Sequence, residues 1–171
     1  MKSFRDSRET ATMRGDVNKT SPLIEAVGTI DELDAFVGFA HSTCKDDAMR
    51  EELKRIQRTI RSLLGELAGA PIAITAGNVR KLESLIEKTE KSLPHLRNFI
   101  LTWKSPEASS LNVCRVIARR AERRLLEMEK SEPINKEAFR YFNRLSDVFF
   151  ALARLCERKA GFDEETWNEK D

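Results

Sequence analysis

Helix-stopping residues are rare in this chain, and their placement limits the fold. The 171 residues include only seven glycines and five prolines. Pro22, Pro94, Pro106, Pro133 and Gly161 bound long stretches of Ala, Leu, Glu, Lys and Arg, the residues that favour helix most. These boundaries predict helices over 22–42, 46–67, 76–93, 105–130 and 135–160. Proline is tolerated at a first helical position, which suits Pro22, and glycine commonly ends a helix, which suits Gly161. Short connections between long helices predict an all-α fold: an antiparallel four- or five-helix bundle of the ferritin-like up-down kind. No strand pattern or internal repeat is visible. Residues 1–20 are polar and read as an extended arm or loop, residues 21–161 as the bundle, and residues 162–171 as a loose acidic tail with Trp167 as its anchor. At 19.6 kDa the whole chain reads as one domain. Gly28 and Gly38 lie inside the first predicted helix, where each costs about 1 kcal/mol against alanine. Their presence predicts close approach by a neighbouring helix or a ligand.

Charge and cysteine content exclude several functions. Thirty Lys and Arg against 28 Asp and Glu leave a net charge of +2, so the overall basic excess of a general nucleic-acid binder is missing. Cys44, Cys114 and Cys156 are odd in number and far apart in sequence, which suggests neither a disulfide framework nor a CxxC metal site. The first residues are too polar for a signal peptide, and the apolar runs are too short for a membrane span. The sequence therefore predicts a cytoplasmic protein with no nucleic-acid or membrane partner.

The basic character is local. Residues 115–124 contain five arginines. At about 100° per residue, Cys114, Ile117, Ala118, Ala121, Leu125 and Met128 form one apolar arc, and Arg115, Arg119 and Glu122 border it together. Arg123 points away from the arc, and Arg120 and Arg124 fall on the far flank. On the last helix Asn143, Asp147 and Arg154 share a strip beside Phe150. Arginines at i, i+4 spacing beside a packed face can form a phosphate-binding wall. They can equally be a solvated face, with Glu122 simply pairing with Arg119 or Arg115. A di-iron bundle needs inward Glu-x-x-His pairs, but Gly38 and Ser92 precede His41 and His95 at that spacing. His41 reads as a helix-end residue and His95 as a loop residue. No Ser-His-Asp set and no Walker-type loop is present.

Four segments carry a family resemblance: Glu25 to Leu33 (EAVGTIDEL), Phe99 to Leu101 with Ser105-Pro106, Arg115 to Arg123, and Arg140 to Asp147 (RYFNRLSD). In this order they resemble the PduO-type ATP:cob(I)alamin adenosyltransferases, whose pattern reads EAxGTxDEL, FILPGGSP, ARxxxRRAER and RYLNRLSD. The resemblance covers most of the chain. It implies transfer of the 5′-deoxyadenosyl group of ATP to the cobalt of reduced cobalamin, with release of triphosphate, by a homotrimer with sites between subunits. It implies Arg115, Arg119 and Glu122 as catalytic residues. Asp6, Thr10, Lys19, Arg119, Arg120, Arg123 and Asn143 become the implied ATP contacts, with residues 1–20 as the nucleotide-binding arm. Asp31, Phe99 and Asp147 become the implied corrinoid and intersubunit residues, with Asp31 meeting an arginine of the neighbouring subunit. Mg²⁺ is implied with ATP, held by phosphates and water rather than by protein side chains, and a corrinoid reductase or cobalamin-dependent enzyme is an implied partner.

The loops depart from the family pattern. The family's phosphate loop reads about TRTGDxGxT, whereas residues 4–10 here lack both glycines. The turn after Leu101 is Thr-Trp-Lys, Asn112 replaces a histidine, and Cys114 replaces an alanine. The sequence thus leaves three readings: an active adenosyltransferase, a family member that binds ATP or corrinoid as sensor or carrier, or a helical-bundle interaction protein.

Overall fold

The computed structural model describes residues 8–13, 15–96, 98–102 and 104–167. Five helices form as the sequence predicts: α1 (Pro22–Thr43), α2 (Asp47–Leu67), α3 (Ala76–Glu90), α4 (Pro106–Glu129) and α5 (Lys136–Lys159). Side chains cap four of them. Ser21, Asp46, Ser105 and Asn135 accept from the amides of Ile24, Met49, Ala108 and Glu137, satisfying donors that the first turn leaves unpaired. Thr75 and Asn78 form a capping box on α3. The third helix stops at Glu90, three residues earlier than the position of Pro94 suggests.

Cross-helix pairs fix the directions of the bundle. Along α1 and α4, Glu25 meets Arg124, Glu32 meets Arg120 and Thr43 meets Ser110, so the two helices run oppositely. Asp34 with Arg61 sets α1 against α2. Glu66 with Asn135 and Asp46 with Lys159 set α2 against α5. Asn143 with Glu122 sets α5 against α4. Each helix of α1, α2, α5 and α4 therefore opposes both neighbours, the up-down bundle that the sequence predicts. The fifth helix, α3, lies against α5. Leu33, Ile56, Ile60, Leu111, Leu125, Phe142 and Phe149 are fully buried where the apolar stripes converge.

Two parts of the chain form strands, where the sequence shows no strand pattern and residues 1–20 read as an extended arm or loop. β1 (Glu9–Thr12) and β2 (Gly15–Asn18) pair antiparallel, with Thr10 opposite Val17. Val17 packs on the core, and the Met13 amide donates to the Ala68 carbonyl at 3.1 Å, which ties the hairpin to the end of α2. Gly15 has φ +115°, a turn conformation that side chains disfavour. The described part of the tail, up to Trp167, is paired rather than loose. β4 (Glu165–Thr166) pairs with β3 (Ile100–Leu101), and the Trp167 amide donates to the Phe99 carbonyl at 2.9 Å. Of the two interior glycines, Gly38 meets a close neighbour, the Gln57 amide nitrogen; among the described residues a Cβ at Gly28 would touch nothing.

Candidate active site on the faces of α4 and α5

Arginines on α4 divide into two sets. Arg120 pairs with Glu32, and Arg124 lies 3.6 Å from Glu25, so acids of α1 answer both. Arg119 and Arg123 are exposed and, among the described residues, have no ion-pair partner. They stand at i, i+4, one turn apart on the same face. Helix-wheel geometry places Arg120 and Arg124 on the other flank, and the structure agrees.

The two helices are joined next to this pair. The Asn143 amide donates to Glu122 Oε1 at 2.9 Å. Glu122 is thus held by α5 rather than by Arg119 or Arg115, the partners that the sequence offered. One turn earlier, Arg115 Nε donates to Asn112 Oδ1 at 2.8 Å. Burial, and secondarily the nearby Arg119 charge, push the Arg115 pKa down. Asn112 in turn donates to the Thr102 carbonyl at 3.0 Å and also reaches the Thr102 hydroxyl. A polar chain therefore runs from α4 to the segment that carries Phe99, whose ring is 83% exposed.

Other predicted residues lie elsewhere. Asp147 is exposed and pairs with Arg144 at 2.9 Å on its own helix. Thr10 is half-buried in β1, and the Lys19 amide closes the hairpin onto the Arg8 carbonyl while its side chain is exposed. Asp6 and the rest of residues 1–7 lie outside the described residues, as does Trp103. Arg154 does not join the Asn143 strip. It is buried, donates to Glu164 at 2.6 Å and to the Pro94 carbonyl at 2.7 Å, and lies over the Phe150 ring.

Asp31 is exposed, with Arg61 Nη1 4.0 Å from one oxygen. The same guanidinium contacts Asp34 at 2.5 Å. Asp34 is buried, and its Oδ1 has no hydrogen-bond partner. Burial raises its pKa above 3.8, and the Arg61 charge only partly opposes this. A raised folded-state pKa means that the native state holds the proton longer than the unfolded chain. Stability then falls as pH climbs from 3.8 through the raised value. Asp34→Asn should therefore increase the melting temperature at pH 7, with the gain vanishing as pH falls below 3.8. Thermal melts of both proteins across that range check this, and an unchanged gain at low pH would contradict it.

A family model described as cobalamin adenosyltransferase matches residues 4–156, which span the hairpin, the arginine face and nearly all of α5. The chain belongs to the cobalamin adenosyltransferase family. It is 36% identical to the corrinoid adenosyltransferase of Bacillus subtilis over 167 residues, covering 93% of this chain and 86% of that one. It is 39% identical to the corrinoid adenosyltransferase PduO of Citrobacter freundii over 163 residues, covering 91% of this chain but only about half (49%) of that longer relative. Among solved structures, a variant PduO-type ATP:corrinoid adenosyltransferase from Lactobacillus reuteri, complexed with cobalamin and ATP, superposes with a TM-score of 0.91. The two are 27% identical, and 99% of each chain is covered. The bundle is thus the family's fold.

Sequence reasoning missed the residues that arrange this face. Glu32 and Glu25 are separated from their arginines by most of the chain, so no single-helix argument finds them. Thr102, as the acceptor for Asn112, sits in a segment with no periodic pattern.

Proposed function

We propose that the protein transfers the 5′-deoxyadenosyl group of ATP to the cobalt of cob(I)alamin and releases triphosphate. The observation that carries the site assignment is the Arg119–Arg123 pair, which has no carboxylate partner among the described residues, beside the Glu122–Asn143 bond. Two such arginines on a rigid helix are ready for phosphate oxygens. Triphosphate is the leaving group, so Arg119, Arg123 and Lys19 offset its charge as the C5′–O bond breaks. Arg120, paired with Glu32 on the α1 flank, takes its ATP-binding role in a site that a neighbouring subunit closes. Asp6 and Thr10 contribute from the N-terminal arm. Arg115 and Glu122, fixed by Asn112 and Asn143, orient the nucleotide. Co(I) is the nucleophile, so the protein need supply none, and no histidine is required. Phe99 presses on the corrin face from the tethered 98–102 segment, and Asp147 on α5 serves as a corrinoid or intersubunit residue.

Mg²⁺ travels with ATP in this reading, held by phosphate oxygens and water. Among the described residues no three His, Cys, Asp or Glu side chains are grouped to hold a metal by themselves. Among the described residues no helix is long and apolar enough to cross a membrane, and action in the cytoplasm beside a corrinoid reductase or a cobalamin-dependent enzyme fits the reaction.

A homotrimer completes the site. Phe39, Val113 and Val116 are exposed on α1 and α4, and among the described residues Asp31 pairs with Arg61 at 4.0 Å. A neighbouring subunit covering this face brings its Arg115 to Asp31, a head-to-tail contact that closes as a ring. Light scattering should give the mass of three 19.6 kDa chains. Monomer alone at micromolar concentration would refute the shared site.

Turnover is tested by adding ATP and chemically reduced cobalamin to the purified protein and following adenosylcobalamin by its absorbance. The missing glycines of residues 4–10 favour a second reading, binding without turnover. ATP binding with no adenosylcobalamin formed would select it.

A further inference from the structure

A cleft of about 450 Å³ opens at the end of the bundle where α1 ends, α2 and α4 begin and α5 ends. It is separate from the arginine face. Three of its lining residues carry sulfur: Cys44, Met49 and Cys156. The Cys156 thiol lies 3.4 Å from the Met49 sulfur. Cys44, in the loop after α1, lines the same cleft and points its thiol at the Asp46 carbonyl at 3.6 Å. All three cysteines of the chain are free.

We propose that Cys44, Cys156 and Met49 form a binding site for a soft monovalent metal ion, Cu(I) or Ag(I). Two sulfurs each about 2.3 Å from one ion stand roughly 3.8–4 Å apart at tetrahedral or trigonal angles. The Cys156–Met49 separation is within about half an ångström of that range, so a slight side-chain shift admits the ion. Two thiols and a thioether match soft ions, whereas zinc sites rely on thiolate, imidazole and carboxylate. The acidic side chains at the cleft are already engaged: Asp46 by Lys159 and Glu107 by Lys45 at 3.7 Å. This leaves sulfur as the ligand set. Binding is a proton exchange with no redox change: both thiols release H⁺ and the two thiolates coordinate the ion. Burial pushes Cys156 up to about 12 and also raises Cys44. The free site is therefore protonated at neutral pH, and affinity increases with pH.

The test uses the full-length protein, reduced by a phosphine and kept anaerobic. Cu(I) is titrated in competition with bicinchoninate, whose colour reports the copper it keeps. Wild type should withdraw one equivalent, and more tightly at pH 8 than at pH 6. Cys156→Ser and Cys44→Ser should each lose that equivalent, and Met49→Leu, close in volume, should weaken it. Cys114 is buried inside the bundle, so Cys114→Ser should retain it. Circular dichroism confirms that each variant is folded. No copper withdrawn by wild type, copper retained by the Cys44→Ser/Cys156→Ser double variant, or copper lost from Cys114→Ser would overturn the proposal.

Discussion

Arg119→Ala should weaken ATP binding by roughly ten- to a hundredfold, because one charge-assisted contact to phosphate is worth about 1.5–3 kcal/mol. No internal rearrangement can mask the loss, since among the described residues Arg119 has no carboxylate partner to redirect. Arg124→Ala is the matched control on the same helix. Its partner Glu25 stands at 3.6 Å with both side chains about half exposed, a pairing that contributes little. Arg119→Lys should recover only part of the affinity, because an ammonium lacks the planar fork that grips two oxygens. Calorimetric titration of the three variants with ATP measures this. Equal losses for Arg119→Ala and Arg124→Ala would move the phosphate away from the α4–α5 side.

Arg154→Ala should lower stability by about 3 kcal/mol, since it removes two charge-assisted bonds, each worth about 1.5–3 kcal/mol and not fully additive. For a chain of this size that corresponds to a drop in Tm of roughly 6–12 °C. The buried guanidinium holds Glu164 of the tail and the Pro94 carbonyl of the loop after α3. Its loss frees both ends of the β3–β4 pairing. Limited proteolysis should then cut near residues 162–167 before the bundle, while helix content persists at low temperature. A variant that melts like wild type and resists cleavage would show that the small sheet holds without this clamp.

Helices were legible because their signals are local. Ser21-Pro22, Ser105-Pro106 and Asn135 start helices by chemistry contained within four residues. The hairpin was not legible. Glu9–Thr12 and Gly15–Asn18 are four residues each and mostly exposed, with only Val17 packed on the core, so no alternating apolar pattern marks them. The tail strand is shorter still and depends on Phe99 to Leu101, nearly seventy residues earlier. At the candidate site the wheel separated Arg119 from Arg120 correctly, since that needs only one helix. It could not show that Glu32 answers Arg120, or that Asn143 rather than an arginine holds Glu122, because those facts belong to helix pairs. Arg154 shows the same limit: a strip on one helix grouped it with Asn143, while partners after α5 and after α3 hold it in the interior.

The bond from Asn112 to Thr102 has a consequence for anyone altering this enzyme. Asparagine is short, and here it reaches a backbone carbonyl and a hydroxyl in the same neighbouring segment. Restoring the family's histidine at 112 alone would place a bulkier ring against Thr102 and release the stretch that presents Phe99. The effects of substitutions at the two positions should therefore not add. A graft that converts this loop toward that of its relatives has to exchange residues 102 and 112 together, and a library that samples them separately will discard combinations that work only as pairs.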